Sequence, residues 1–98
     1  MPAYIVGLVH VDDSETYDRY RVRTPAVIAQ YGGRFLVRGG DPQVLEGDWP
    51  APRVVVIEFP DEAAAQRFYE SPEYQEILPI RQQASRGTLA MLPGAPQS

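Results

Sequence analysis

The segment Ala3 to Val11 (AYIVGLVHV) is apolar on both of its alternating faces. One face reads Ile5, Gly7, Val9 and Val11, the other Tyr4, Val6, Leu8 and His10. Arg53 to Phe59 (RVVVIEF) behaves in the same way, with Val55, Ile57 and Phe59 alternating with Val54, Val56 and Glu58. Short β-branched runs of this kind read as buried strands. A sheet built from them needs cover on both sides.

The remaining elements follow in order. Tyr17, Tyr20, Val27, Ile28 and Tyr31 form one stripe of a 3.6-residue period, so a helix follows the first strand. Asp12 with Glu15 resembles a capping box, with Ser14 as an alternative cap. Pro25 predicts a kink or a restart, with Thr24 as N-cap and Pro25 as the first helical residue. Gly32-Gly33 ends the helix. Arg34 to Arg38 is a second strand. Gly39-Gly40 is a turn or bulge, beyond which Gln43 to Glu46 can extend the strand. Pro60-Asp61 opens a helix through Ser71, and Ser71-Pro72 caps the next, which Pro79 is expected to break. Gly87 to Leu92 is the last strand.

The order is β-α-β-β-α-β, the ferredoxin-like arrangement, an α+β fold with a four-stranded antiparallel sheet and helices on one face. Residues 1–92 form this single domain, and 93–98 are expected to be a flexible tail. One sheet face is left with apolar residues and no helix over it, and the same face of a second chain is the simplest cover. A homodimer is therefore expected. A domain of 98 residues buries only about 60–65% of its unfolded surface, so a partner chain also adds stability.

The composition narrows the chemistry. Thirteen acidic residues oppose nine basic ones, all arginine, for a net charge of −4. That balance argues against nucleic acid as the main partner and against a polybasic membrane anchor. There is no cysteine, which excludes disulfides, thiolate catalysis, iron–sulfur clusters and zinc ribbons. No signal peptide is read, the first apolar run is too short to span a bilayer, and a cytoplasmic location is expected. No metal and no cofactor are expected. His10-x-Asp12-Asp13 offers too few donors for a metal, and a helix cap explains it better.

Three residues are candidates for catalysis: His10, Glu58 and Arg38. Strands one and three, taken as parallel neighbours, would bring the ends carrying His10 and Glu58 side by side. Either Arg34 or Arg38 stands opposite Glu58. The register that continues strand two through Glu46, and so brings Arg38 closer, is favoured because Val44-Leu45 suits a strand. His10 would act as general base, Glu58 would orient it, and Arg38 would hold an anionic group. A structural Arg–Glu pair, with His10 in solvent, is the plainer reading of the same residues. Leu8, Leu36, Val56, Trp49 and Tyr31 complete the expected ligand-binding set. Two functions are open: a cofactor-independent isomerase, cyclase or monooxygenase acting on an apolar, partly anionic metabolite, or a binding or structural dimer module without turnover.

The opening MPAYIV, YGGRFLVRGG (Tyr31 to Gly40), VLEGDW (Val44 to Trp49), RVVVIEFPD (Arg53 to Asp61) and FYESPEYQ (Phe68 to Gln75) resemble the bacterial domain-of-unknown-function family 1330. The resemblance implies a dimeric α/β-barrel protein and carries no established reaction. Arg38, Glu58, Gly32-Gly33 and Ser71-Pro72-Glu73-Tyr74 match the family pattern. Leu8 and His10 stand where members often have acidic residues, which makes the expected cavity more apolar. The resemblance supplies no haem ligand position.

Overall fold

A computed structural model describes residues 1–96. The elements are β1 (Ala3–Val11), α1 (Ser14–Arg21), α2 (Thr24–Gln30), β2 (Arg34–Gly40), β3 (Arg53–Phe59), α3 (Glu62–Glu70), α4 (Pro72–Ala84) and β4 (Ser85–Pro93). They build a four-stranded sheet in the order β2-β3-β1-β4, antiparallel throughout. This is the expected ferredoxin-like α+β fold.

The antiparallel β1–β3 pairing corrects the parallel relation expected for these two strands. The helical crossover makes β2 run in the direction of β1. The β2–β3 hairpin then reverses the chain, so β3 enters between them antiparallel to both. Tyr4 therefore stands opposite Glu58, and Val9 opposite Arg53.

Helix boundaries show where local chemistry prevailed. Asp13, rather than Asp12 or Ser14, caps α1, accepting from Thr16 N–H at 3.2 Å. Thr24 does not cap α2. Its hydroxyl donates to the Tyr20 carbonyl at 2.6 Å, tying α2 back onto α1. Gly32 (φ +83°) takes the left-handed turn after α2, and the amides of Gly32 and Gly33 donate to the carbonyls of Ala29 and Ile28. Ser71 caps α4 as expected, accepting from Tyr74 N–H at 3.0 Å. The helix α4 runs straight through Pro79, against expectation. Tyr74, Ile77, Leu78 and Ala84 bury on both sides of that proline, and packing outweighs the lost backbone bond.

The core lies between the helices and the sheet face carrying Ala3, Ile5, Val9, Ile57 and Phe59. Phe68 sits at its centre, its ring 5.2 Å from Phe59 and 4.6 Å from Tyr74. The opposite face carries Tyr4, Val6, Leu8, Val54 and Val56, all only half-buried, with no helix over it. β4 extends beyond Leu92 to Pro93, and Gly94 N–H donates to the Pro2 carbonyl at 2.9 Å. The start of the expected tail is thus anchored, while residues 97 and 98 lie outside the described residues. No helix among the described residues is long and apolar enough to cross a membrane.

Candidate functional site

The geometry separates the three catalytic candidates. His10 lies six residues along β1 from Tyr4, the partner of Glu58, about 20 Å away at the usual strand rise. Its Nε2 lies 2.8 Å from the Pro50 carbonyl, against the β2–β3 loop. Glu58 is held at the other end of the outer face, where Arg34 Nη2 approaches its Oε1 to 2.8 Å and Tyr4 donates to its Oε2 at 3.1 Å. The register with Arg34 opposite Glu58 is therefore the one observed, and β2 stops at Gly40. Val44 and Leu45 lie in the loop, and Leu45 is 93% exposed. Gly39 at φ +140° and Asp41 at φ 66° turn the chain out of the sheet before Val44 can pair.

Arg38 changes sides because of a bulge. Phe35 pairs with Ile57, but the next pairs are Val37 with Val56 and Arg38 with Val55, leaving Leu36 as an extra residue. Simple alternation would put Arg34, Leu36 and Arg38 on one face. The extra residue moves Arg38 to the helix side, where its guanidinium stacks 4.5 Å over Phe35 and donates to the Arg21 carbonyl at 2.7 Å.

That side holds a cavity of about 30 Å³ between the sheet and the helices. Ile5, Gly7, Val55 and Ile57 form its floor, and Tyr17, Tyr20, Phe35, Phe68 and Tyr74 its aromatic walls. Arg21, Arg38, Arg53 and Arg81 line it as well, and no aspartate, glutamate or histidine does. Arg21 pairs with Asp18, but among the described residues Arg38, Arg53 and Arg81 have no carboxylate partner. Arg53 instead donates to the Tyr17 hydroxyl at 3.2 Å and lies over that ring. In a chain with more acidic than basic residues, three arginines line an apolar cavity that no carboxylate side chain lines. Burial pushes the Tyr20 phenol well above its ordinary value, helped by the Tyr74 hydroxyl 2.8 Å away, so Tyr20 stays neutral.

Of the expected ligand-binding residues, only Arg38 lines this cavity. Leu8, Val56 and Glu58 belong to the outer face, and Leu36 is the bulged residue. Trp49 is half-exposed on the β2–β3 loop. Tyr31 ends α2 and donates to Glu73 at 2.8 Å. Sequence reasoning missed Tyr17, Tyr20, Arg53 and Arg81. The parity of β3 carried the signal for Arg53, since it shares a face with Val55 and Ile57.

The surface carboxylates set an acid response. The Arg34 hydrogen bond, and then the Tyr4 hydroxyl, hold Glu58 below its ordinary value. Asp12 is lowered by Arg86, Asp13 by Thr16, and Glu73 by the backbone and then by the Tyr31 hydroxyl. A carboxylate depressed in the folded state is protonated first in the unfolded chain. Its stabilisation is therefore full above the ordinary carboxylate range and is lost as pH falls through about 4 and below. Thermal melts from pH 7 to pH 3.5 are expected to show this loss, and Glu58→Gln is expected to make the curve shallower. An equally steep curve in Glu58→Gln would remove Glu58 from the account.

With this geometry in view, comparison with known proteins identifies the family. The chain belongs to the DUF1330 family, a domain of unknown function. The match spans residues 2–95. Among solved structures, this DUF1330 chain is similar to RPA0582 of Rhodopseudomonas palustris, a protein of unknown function (TM-score 0.77, 24% identity, covering 98% of this chain and 84% of that one). It is similar to SnoaB of Streptomyces nogalater, a cofactor-independent oxygenase (TM-score 0.69, 18% identity, covering 99% and 95%). It is also similar to a dimeric ferredoxin-like protein of unknown function from Jannaschia sp. CCS1 (TM-score 0.68, 14% identity, covering 96% and 100%). At these identities the likeness shows the fold. No curated protein matches the chain in sequence.

Proposed function

We propose that this protein is a homodimer in which each chain binds an apolar, anionic small metabolite in the cavity between its sheet and its helices. The observation that carries the reading is the cavity lining: aromatic and aliphatic walls, arginines without carboxylate partners, and no acidic side chain. Apolar walls with a few convergent charged groups are the usual make-up of a small-molecule site. This moves the expected site from the space between two sheets to the helix side of one. The outer sheet face, with its half-buried valines, is left to pair with a second copy.

Turnover fits a restricted chemistry. The cavity offers guanidinium and phenol donors but no histidine or carboxylate to remove a proton. Such a site stabilises a negative charge that the substrate itself can carry. A substrate acidic enough to ionise on binding is therefore the class on which it would act. The fold of SnoaB, a cofactor-independent oxygenase, is compatible with that chemistry.

Calorimetric titration with carboxylates of graded size, from formate and acetate to benzoate, tests the binding, since a cavity of about 30 Å³ admits a ring only by widening. Wild type is expected to bind at least one with a micromolar to submillimolar Kd. Gly7→Val is expected to abolish binding, because a Cβ there projects from the cavity floor to 2.8 Å from Leu89 Cδ1. No heat from any of these acids, or equal binding by Gly7→Val, would reject the cavity as the site.

A further inference from the structure

Of the residues lining the cavity, only Arg21 and Arg38 are exposed, the rest being buried or half-buried. Arg21 is the last residue of α1, and Arg38 lies on β2, an edge strand of the sheet. The mouth of the cavity therefore lies between the C-terminus of α1 and that edge. One hydrogen bond crosses it, from Arg38 Nη2 to the Arg21 carbonyl at 2.7 Å. The Arg21 side chain takes no part, since its Nε turns to Asp18 at 3.0 Å.

The sequence explains why that carbonyl is available. In a continuing helix it would accept from the amide four residues on. That residue is Pro25, which has no N–H. Val22 and Arg23 keep right-handed helical angles, so the chain continues helically up to the missing donor. The bulge at Leu36 brings Arg38 to the helix side, and its guanidinium, stacked on Phe35, donates in place of the amide. A cation also suits the negative end of a helix dipole. Among the described residues one other hydrogen bond ties α1 to the sheet, the more buried one from Arg53 to the Tyr17 hydroxyl. α1 otherwise packs mainly on α4. Its C-terminal end is thus held to β2 by a single exposed side chain.

Resting on the cavity being a ligand site, we propose that Arg38 is a latch across the cavity mouth. A cavity of about 30 Å³ admits a ring only by widening. Widening at the mouth parts the end of α1 from the edge of β2, and the Arg38 contact with the Arg21 carbonyl is the bond that joins them there. Release of that contact opens the way in, and its return closes the cavity behind the ligand.

The experiment follows the exchange of 4-fluorobenzoate with wild type and with Arg38→Met by fluorine NMR line shape. Loss of a positive charge by itself slows the association of an anion. Loss of a latch speeds it, so the two effects have opposite signs. Arg38→Met is expected to raise the association and dissociation rate constants together, each by about threefold or more. Without ligand, the Val22 and Arg23 amides, which donate to the Asp18 and Tyr20 carbonyls at the end of α1, are expected to exchange hydrogen about threefold faster or more in the variant. Near-ultraviolet circular dichroism of the tyrosines checks the fold. If Arg38→Met is unfolded, Arg38→Lys decides. Lysine keeps the charge but lacks the flat fork that stacks on Phe35, and faster association is expected there too. Association no faster than in wild type overturns the latch and leaves Arg38 a helix cap, with the cavity still a ligand site. Unchanged amide exchange overturns it as well. A wild type that binds formate or acetate but not 4-fluorobenzoate also overturns the latch, because its cavity does not widen. Binding of none of these acids overturns the cavity reading and the latch with it.

Discussion

Phe68→Ala is expected to lower the folding free energy by about 3–5 kcal/mol, the range for emptying a well-packed phenylalanine site. Phe68 is 1% exposed and touches both aromatic neighbours that join α3 and α4 to the sheet. A domain of this size has roughly 5–15 kcal/mol of stability in total, so a large part is removed. Each kcal/mol shifts the melting temperature by about 4–8 °C in domains of 60–100 residues. The melting temperature should therefore fall by about 12 °C or more in a thermal scan at neutral pH. Tyr69→Ala, one residue along but 36% exposed, should cost much less. Similar melting temperatures for the two variants would mean that the α3–sheet packing described here is wrong.

Val6→Asp is expected to convert the proposed dimer to a monomer. Val6 stands in the middle of the outer face, opposite Val56 on one side and Ala90 on the other. A carboxylate there would meet its own copy or an apolar surface in a sheet-to-sheet dimer, and burying an unpaired charge costs several kcal/mol. In a monomer the same side chain points to water and costs little. Sedimentation velocity at micromolar concentration should show a dimer for wild type and a monomer for Val6→Asp. A wild-type monomer, or a dimer that survives the substitution, would place the subunit contact elsewhere or remove it. Leu92 and Val37 flank the face and are 48% and 47% exposed in the single chain, so a second copy has apolar surface to cover at its margins too.

Much of the fold was legible because strand and helix signals here are local. β1 and β3 declare themselves by composition, and Ser71-Pro72 and Gly32-Gly33 by turn and cap chemistry. The helix through Pro79 was not legible, since only its buried neighbours on both sides hold it together. The site was harder to read for two physical reasons. The direction of β3 depends on topology, and with the direction reversed His10 and Glu58 part by the length of a strand. The face of Arg38 depends on a bulge, and no residue type in RFLVR announces one. Arg81 lies on a helix whose periodicity marks Ile77 and Leu78 as core, and an arginine near them reads as surface until the structure shows it beside two buried tyrosines.

The bulge at Leu36 makes spacing, as much as residue identity, a determinant of this protein's chemistry. The stretch from Arg34 to Arg38 puts an ion pair on one side of the sheet and a cavity-lining cation on the other. Removing Leu36 alone would leave both arginines in place by name and return the second to the outer face. A relative with the same arginines and one residue fewer between them would present a cavity with less positive charge and an outer face with more. In this strand, counting residues is therefore a better guide to the face an arginine takes than matching them.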